Sequence, residues 1–343
     1  GYAVRSIDMA VMPARLAVIG EVASAQCWER PLAKGEALRI MTGAPLPSGA
    51  DAVVKVEDSE ENNGTVLLTV PVMTGENVRP AGEDLRAGTV VLEPGAVFTP
   101  ARIGMAAAIG RAKVLAIPRA TVGIITTGNE LVEPGQSLGP GRIRNTNAYA
   151  LFAQVLAAGA LPSLLGVCPD DYDLTVARLV EAVDTHDVVI SSGGVSLGRH
   201  DHVGKALASI GEVKFTQVAQ QPGKPLTFAA VRGKPVFALP GNPISTLVNF
   251  EIYVQPALRL LMGHSRYERR RMSVTLGEDI AGKPGRARFL RVVVADGVAR
   301  LAGPQGSALW HTMIKANALT CIPAEVGALA AGSQLEVVML DEV

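Results

Sequence analysis

The sequence is short of aromatic side chains. Phe, Trp and Tyr make up 4% of its 343 residues, too few for the stacking platforms that hold single-stranded nucleic acid. It also lacks net charge, with 32 basic residues against 32 acidic ones. No bulk field therefore draws it to nucleic acid or to a membrane surface. Cysteine is scarce. Cys27, Cys168 and Cys321 stand far apart, with no zinc or redox spacing. An odd, scattered set fits a reducing compartment, so a cytoplasmic location is expected. No apolar run is long enough to span a bilayer, and no signal-peptide pattern is present. The sequence opens on Gly1 rather than Met, which reads as a fragment or a processed chain.

What is present changes character along the chain. Residues 1–97 are short apolar runs broken by Gly and Pro, with Asn62-Asn63-Gly64 as a hairpin signal. They predict a β-rich domain. Residues 98–118 are Ala-rich, and Thr99-Pro100 supplies an N-cap and a first-turn proline for a connecting helix. Residues 119–265 alternate β-branched runs with helical periods, which predicts a mainly parallel sheet covered on both faces. Asn145 or Asn147 caps one of its helices, and a long helix from Pro243 is expected to kink at Pro256. Residues 266–343 read as all-β again, a small barrel or sandwich.

The stretch 187–203, DVVISSGGVSLGRHDHV, organises the third region. A short apolar strand runs into a glycine-rich loop and then a helix start. That combination makes an anion site, because glycines admit close backbone approach and helix N-termini point N–H groups outward. Asp201 does not fit a pure anion site. A carboxylate beside phosphates calls for a bridging cation, which suggests Mg²⁺.

Ligands of open parallel sheets bind at the carboxyl ends of the strands. The residues just past each strand are therefore the candidates. Glu130, Asp170 and Asp201 offer three acids for a hard cation, and Lys224 offers charge for phosphate. The turn Pro240-Gly241-Asn242-Pro243-Ile244-Ser245 is stiff enough to hold a ligand. Each has a plainer reading: Asp170 and Asp171 precede a helix and could be caps, Glu130 could be a solvated loop residue, and Lys224 surface charge. His200 and His202 lack a nearby third ligand and read as loop histidines. Gly194-Val195-Ser196-Leu197-Gly198 also matches a hydrolase nucleophile elbow around Ser196. However, Ser191-Ser192-Gly193 separates strand from motif, and the helix does not follow at once.

Taken together, the loops resemble the molybdopterin molybdenumtransferase family, the MoeA proteins and the E domain of gephyrin. The matching stretches are GYAV at 1–4, MTGAPLPSGAD at 41–51, RPAGEDLRAG at 79–88, TTGNEL at 126–131 and GRIRNTN at 141–147. SSGGVSLGRHD at 191–201, PGKP at 222–225 and PGNPISTL at 240–247 complete the set. The resemblance implies a three-layer α/β/α molybdopterin-binding domain, with a β-rich N-terminal domain and a small C-terminal β-barrel. It implies an enzyme that inserts molybdate into adenylylated molybdopterin and releases AMP with Mg²⁺. Glu130, Asp170 and Asp201 would hold the metal and serve catalysis. Gly193, Gly194 and Ser196 would bind phosphate or pterin through backbone amides and a hydroxyl. Lys224 would offset phosphate charge, and Pro240, Pro243 and Ser245 would shape the pterin floor. Thr42 and Asp84 match catalytic positions that reach the cleft from a second subunit, so a homodimer is implied. Arg291 and Ser307 match positions for the molybdate oxyanion. Contacts with other proteins of molybdenum cofactor biosynthesis are compatible with the family. Two departures stand out. Members usually carry an Asp directly before GYAV, where this sequence begins, and lysines where it has Gln217 and Gln221. They keep a second reading open, a molybdopterin-binding scaffold without catalysis.

Overall fold

The computed structural model describes residues 1–195 and 202–340. The chain divides into two compact units, Gly1–Val91 and Leu92–Val343. The first is built on six strands: β1 (Tyr2–Val4), β2 (Ala14–Val22), β3 (Glu36–Ile40), β4 (Ala52–Val54), β5 (Ser59–Asn62) and β6 (Thr65–Leu68). They form one sheet in the order β4-β1-β3-β2-β6-β5. Strand side chains alternate between faces, so Tyr2 and Val4 join one apolar cluster while Ala3 joins another with Leu38 and Ile40.

The second unit opens with α1 (Pro100–Ala108), where the Thr99 hydroxyl accepts from the Arg102 N–H as the sequence predicted. The chain then alternates. In order come β7 (Thr121–Thr127), β8 (Leu131–Val132), β9 (Ile143–Arg144), α2 (Thr146–Ala157), β10 (Leu161–Cys168), α3 (Tyr172–Thr185), β11 (Val188–Ser192) and α4 (His202–Ile210). They are followed by β12 (Glu212–Gln217), β13 (Gln220–Gln221), β14 (Pro225–Val231), β15 (Lys234–Leu239), α5 (Pro243–Asn249) and α6 (Gln255–Leu261). The main sheet has the order β10-β7-β11-β15-β14-β12. Its first four strands are parallel, and β14 runs antiparallel to both β15 and β12.

Every residue of β11 is buried, which is why that stretch reads as continuously apolar rather than alternating. Val188 and Ile190 pack on one face with Leu151, Phe250 and Leu258 from the α2, α5 and α6 region. Val189 packs on the other with Leu179 and Leu207 from α3 and α4. The sheet is thus a middle layer between two helical ones. Each fully buried aliphatic side chain contributes about 1.5–3 kcal/mol of burial free energy.

The helix from Pro243 changes type just before Pro256. Between α5 and α6, residues Phe250–Val254 form a π-helical turn, in which the Gln255 N–H reaches back to Phe250 O. Proline has no N–H for the ordinary bond, and its ring crowds the carbonyl four residues back. Widening the preceding turn relieves that crowding.

The remaining strands are β16 (Arg271–Leu276), β17 (Ala287–Ala295), β18 (Val298–Leu301), β19 (Ala318–Ile322) and β20 (Gln334–Met339). They close into a five-stranded barrel, β16-β18-β17-β19-β20, with β20 pairing back to β16. The tail is not purely β, since α7 (Trp310–Lys315) crosses it. The barrel belongs to the same compact unit as the sheet layer, because backbone bonds join them. Strand β13 pairs with β17 in parallel, and the Ile244 N–H donates to Ser307 O at 3.2 Å. No helix among the described residues is long and apolar enough to cross a membrane.

Candidate active site

A cleft of about 1020 Å³ opens at the carboxyl ends of the parallel strands. Its walls follow the strand order. Thr126, Thr127, Gly128 and Glu130 come from the end of β7, Asp170 from the end of β10, and Ser192, Gly193 and Gly194 from the end of β11. The turn after β15 contributes Pro240, Pro243 and Ser245, and the segment before β14 contributes Gln221, Pro222 and Lys224. The barrel adds Arg286, Gln305 and Ser307.

The two acids are placed by neighbouring strands, since β7 and β10 pair in parallel up to Thr127 and Cys168. Their loops are cross-linked. Asp170 Oδ2 accepts from the Asn129 N–H at 3.2 Å, and the Asp170 N–H donates to Asn129 Oδ1 at 3.3 Å. The Glu130 carboxylate lies over Gly128, where a Cβ would stand 2.5 Å from Glu130 Oε2. Asp170 faces the cleft, while its neighbour Asp171 caps α3 by accepting from the Leu174 N–H at 2.9 Å. The Asp170-Asp171 pair thus divides into a site residue and a cap.

Gly193 is held in the left-handed region, φ +100°, and a Cβ there would sit 2.4 Å from Thr127 O. Only glycine fits without displacing that strand end. Its N–H does not serve a ligand, however. It donates to Leu239 O at 3.1 Å and continues the β11–β15 ladder. The expectation that the Gly193 amide binds phosphate is corrected accordingly: that donor belongs to the sheet, and Gly193 contributes close approach alone.

The floor is tied together by Asn147. Its Nδ2 donates to Ser192 Oγ at 2.9 Å and to Gly241 O at 2.8 Å. The Ser192 and Thr246 hydroxyls both donate to Pro240 O. Asn145, two residues earlier, caps α2 by accepting from the Ala148 N–H and bonds Thr126 Oγ1. Two buried polar atoms at this floor, Thr127 Oγ1 and Asn147 Oδ1, have no hydrogen-bond partner among the described residues. Buried polar groups are ordinarily satisfied, which sets these two apart from the bonded floor around them.

Lys224 stands on a braced loop. Asn249, fully buried, donates from Nδ2 to Gly223 O at 3.1 Å and accepts from Gln220 Nε2 at 2.6 Å. Gln220 Nε2 also reaches Pro222 O, and Gln220 Oε1 accepts from the Tyr253 hydroxyl. Lys224 itself is exposed and forms no ion pair with a described residue.

Arg291 differs from its expected role as a direct ligand. It is fully buried, behind the cleft wall rather than on it. Its Nε donates to Thr312 Oγ1 at 2.8 Å, and its Nη2 to Pro304 O and Gly306 O, both at 3.1 Å. Burial pulls its pKa below the usual guanidinium value. It holds the 304–308 loop that carries Ser307, and its Nη1 has no partner among the described residues.

Thr42 and Asp84 lie in the N-terminal unit, both exposed. Ser196 and Asp201 lie outside the described residues. Among the described residues no group of three acids, histidines or cysteines could hold a metal. Sequence reasoning had Thr127 and Ser192 within the candidate segments past β7 and β11 and weighed Asn147 as a helix cap, but gave none of the three a role of its own, and it passed over Arg286 and Gln305. Asn147 sits in the GRIRNTN stretch, the only signal that could have singled it out.

Three family models match in chain order: the MoeA N-terminal region (domain I and II) at 1–110, a probable molybdopterin binding domain at 123–260, and the MoeA C-terminal region (domain IV) at 273–340. The molybdopterin molybdenumtransferase 2 of Mycobacterium tuberculosis is 38% identical, over 98% of this chain and 86% of that protein. The chain belongs to the molybdopterin molybdenumtransferase family. The Bacillus subtilis molybdopterin molybdenumtransferase is 34% identical, over 100% of this chain and 83% of its own length. The crystal structure of a molybdopterin biosynthesis MoeA protein from Pyrococcus horikosii superposes with a TM-score of 0.84. It is 35% identical over 100% of this chain and 86% of that one. An α/β layer with β-rich parts before and after it in the chain is therefore the family's fold, as the resemblance implied.

Proposed function

We infer that this chain is a molybdopterin molybdenumtransferase, which inserts molybdate into adenylylated molybdopterin and releases AMP. The observation that carries the reading is the cleft itself. Two acids, a braced lysine and two buried polar atoms with no partner among the described residues converge at the strand ends, within a chain matched along its length by molybdopterin molybdenumtransferases.

Glu130 and Asp170 suit a Mg²⁺ ion by donor chemistry: both offer carboxylate oxygens, both line the cleft, and their loops are bonded to each other. Asp201 would be the third acid. Such an ion would neutralise charge that develops as AMP departs. Lys224 binds and orients phosphate as a point charge. Gly193 and Gly194 let the ligand approach the strand end, and Ser196 lends a hydroxyl. Thr127 Oγ1 and Asn147 Oδ1 meet the ligand's polar edge. Pro240, Pro243 and Ser245 form the floor on which the pterin lies. Ser307 meets the molybdate oxyanion, held in place by Arg291. Thr42 and Asp84 are retained as contributions from a second copy in a homodimer, on the strength of their motifs. A cytoplasmic setting agrees with three cysteines that form no disulfide.

The test is incubation of the protein with adenylylated molybdopterin, molybdate and Mg²⁺. The expected result is AMP release matched by molybdenum in the cofactor. Tight binding without AMP release would instead support the scaffold reading. Serine-ester hydrolysis lost in Ser196→Ala, with no pterin binding, would replace both.

A further inference from the structure

We propose that Glu133 is a positioning residue for Glu130: its carboxylate fastens the loop that carries Glu130 to the start of α2, and thereby sets how tightly the cleft holds its divalent cation. The proposal rests on the cation reading given under Proposed function and deepens it.

Glu130 lies on an excursion of the chain, residues 128–145, between the end of β7 and the start of α2. The Ile143 N–H donates to Glu130 O at 2.9 Å, and the Asn145 N–H to Val132 O at 2.8 Å. Both bonds belong to the parallel pair β8–β9, with Leu131 opposite Ile143 and Val132 opposite Arg144. That pair is a sheet of its own, two strands of two residues each, and Ile143 is 54% exposed. A two-stranded pair alone is at best marginally stable in water, so side chains must supply the hold.

They supply it on both sides of Glu130. On the β10 side, Asn129 is cross-linked to Asp170, and Arg142 donates to Asn129 O. On the α2 side the anchor is Glu133. Its Oε1 accepts from Asn145 Nδ2 at 2.9 Å, and its Oε2 accepts from the Tyr149 hydroxyl at 2.7 Å. The same contact pushes the Tyr149 phenol above its ordinary pKa. Asn145 is buried, and its Nδ2 also donates to Thr126 Oγ1 at 3.0 Å while its Oδ1 caps α2. The amide nitrogen has two N–H donors, one for Thr126 and one for Glu133. Without Glu133 a buried donor would be stranded, and an ionised acceptor makes the stronger bond. The backbone of Glu133 is held as well. Its N–H donates to Gln136 Oε1 at 3.2 Å, and its carbonyl accepts from Arg144 Nη1 at 3.2 Å.

Glu133 does not touch the ligand itself. Thr126, Glu130 and Asn145 line the cleft, and Glu133 lies behind that wall. It acts through β8, which joins it to Glu130 in the chain. Groups that orient a cation ligand change metal affinity by about 10–100-fold when removed, although they never touch the ion.

The experiment uses the full chain. Mg²⁺ is titrated into the AMP-release reaction with adenylylated molybdopterin and molybdate, and amide hydrogen exchange is followed without ligand. Glu133→Ala is expected to raise the Mg²⁺ concentration for half-maximal release by about tenfold. The KM for adenylylated molybdopterin at saturating Mg²⁺ should stay unchanged. The Ile143 and Asn145 amides should exchange faster in that variant, and the amides of β11 should not. Glu133→Gln keeps an acceptor for Asn145 and offers a donor to the Tyr149 hydroxyl, so it should recover most of both effects. Tyr149→Phe removes one of the two bonds and should fall between the unaltered protein and Glu133→Ala. An unchanged Mg²⁺ requirement in Glu133→Ala overturns the proposal, as does unchanged exchange at Ile143 and Asn145. An equal rise in Mg²⁺ requirement and KM, with no recovery in Glu133→Gln, also overturns it, because that marks general loss of structure. AMP release by the unaltered protein that is absent or indifferent to Mg²⁺ would count against the underlying reading, and the exchange comparison then judges the fastening by Glu133 separately.

Discussion

Asn249→Ala probes what braces the phosphate-binding lysine. Asn249 is 0% exposed and ties α5 to the 220–223 segment of the site wall. Its amide donates to Gly223 O at 3.1 Å and accepts from Gln220 Nε2 at 2.6 Å. Gly223 has φ +88°, and a Cβ there would lie 2.5 Å from Asn249 Oδ1, so loop and amide are fitted closely. Truncation removes two hydrogen bonds, each contributing about 0.5–1.5 kcal/mol net, and strands Gly223 O at about 1–3 kcal/mol. Gln220 Nε2 keeps its bond to Pro222 O at 3.0 Å, so its loss is partial. The expected destabilisation is about 2–4 kcal/mol, read from urea unfolding of the second unit. AMP affinity should fall with it, because Lys224 loses its fixed base. Gln220→Ala should be non-additive with Asn249→Ala by about 0.5 kcal/mol or more. A stability change below about 0.5 kcal/mol, the size of an ordinary surface substitution, together with unchanged AMP affinity, would refute the bracing argument.

Two further outcomes follow from other contacts. Arg291→Lys cannot reach Thr312, Pro304 and Gly306 together, so it should cost about 1–3 kcal/mol in thermal unfolding and raise the KM for molybdate. The Asp187 carboxylate is held below the usual range by the N–H of Thr121 and then by its hydroxyl, each at 2.8 Å. Its stabilising contribution is therefore complete above the ordinary carboxylate pKa and fades as pH falls through the lowered folded value. Melting temperatures of Asp187→Ala and the unaltered protein should differ at neutral pH and converge below about pH 4.

Much of the fold was legible because local chemistry and tertiary demand agreed. The β11 run reads as a buried strand and is one, and Thr99-Pro100 and Asn145 cap the helices they were expected to cap. The failures share a cause. Each depends on which partner a group meets across the fold. The tail's short apolar runs concealed α7, a helix of 6 residues, too short for a clear period. Gly193 reads as a free amide until Leu239 takes its proton donor. Arg291 reads as a ligand until Pro304, Gly306 and Thr312 surround it. Acids after strands were legible because sheet topology alone carries them to one edge, as for Glu130 and Asp170.

The most direct test of the central claim is a crystal structure of the protein with adenylylated molybdopterin bound. The account predicts the ligand in the cleft at the ends of β7, β10, β11 and β15. Its phosphates should lie beside Lys224 and Gly194, with a polar atom within hydrogen-bond distance of Asn147 Oδ1 or Thr127 Oγ1. A ligand bound elsewhere, or one in the cleft that leaves Lys224 and both buried oxygens untouched, would contradict it.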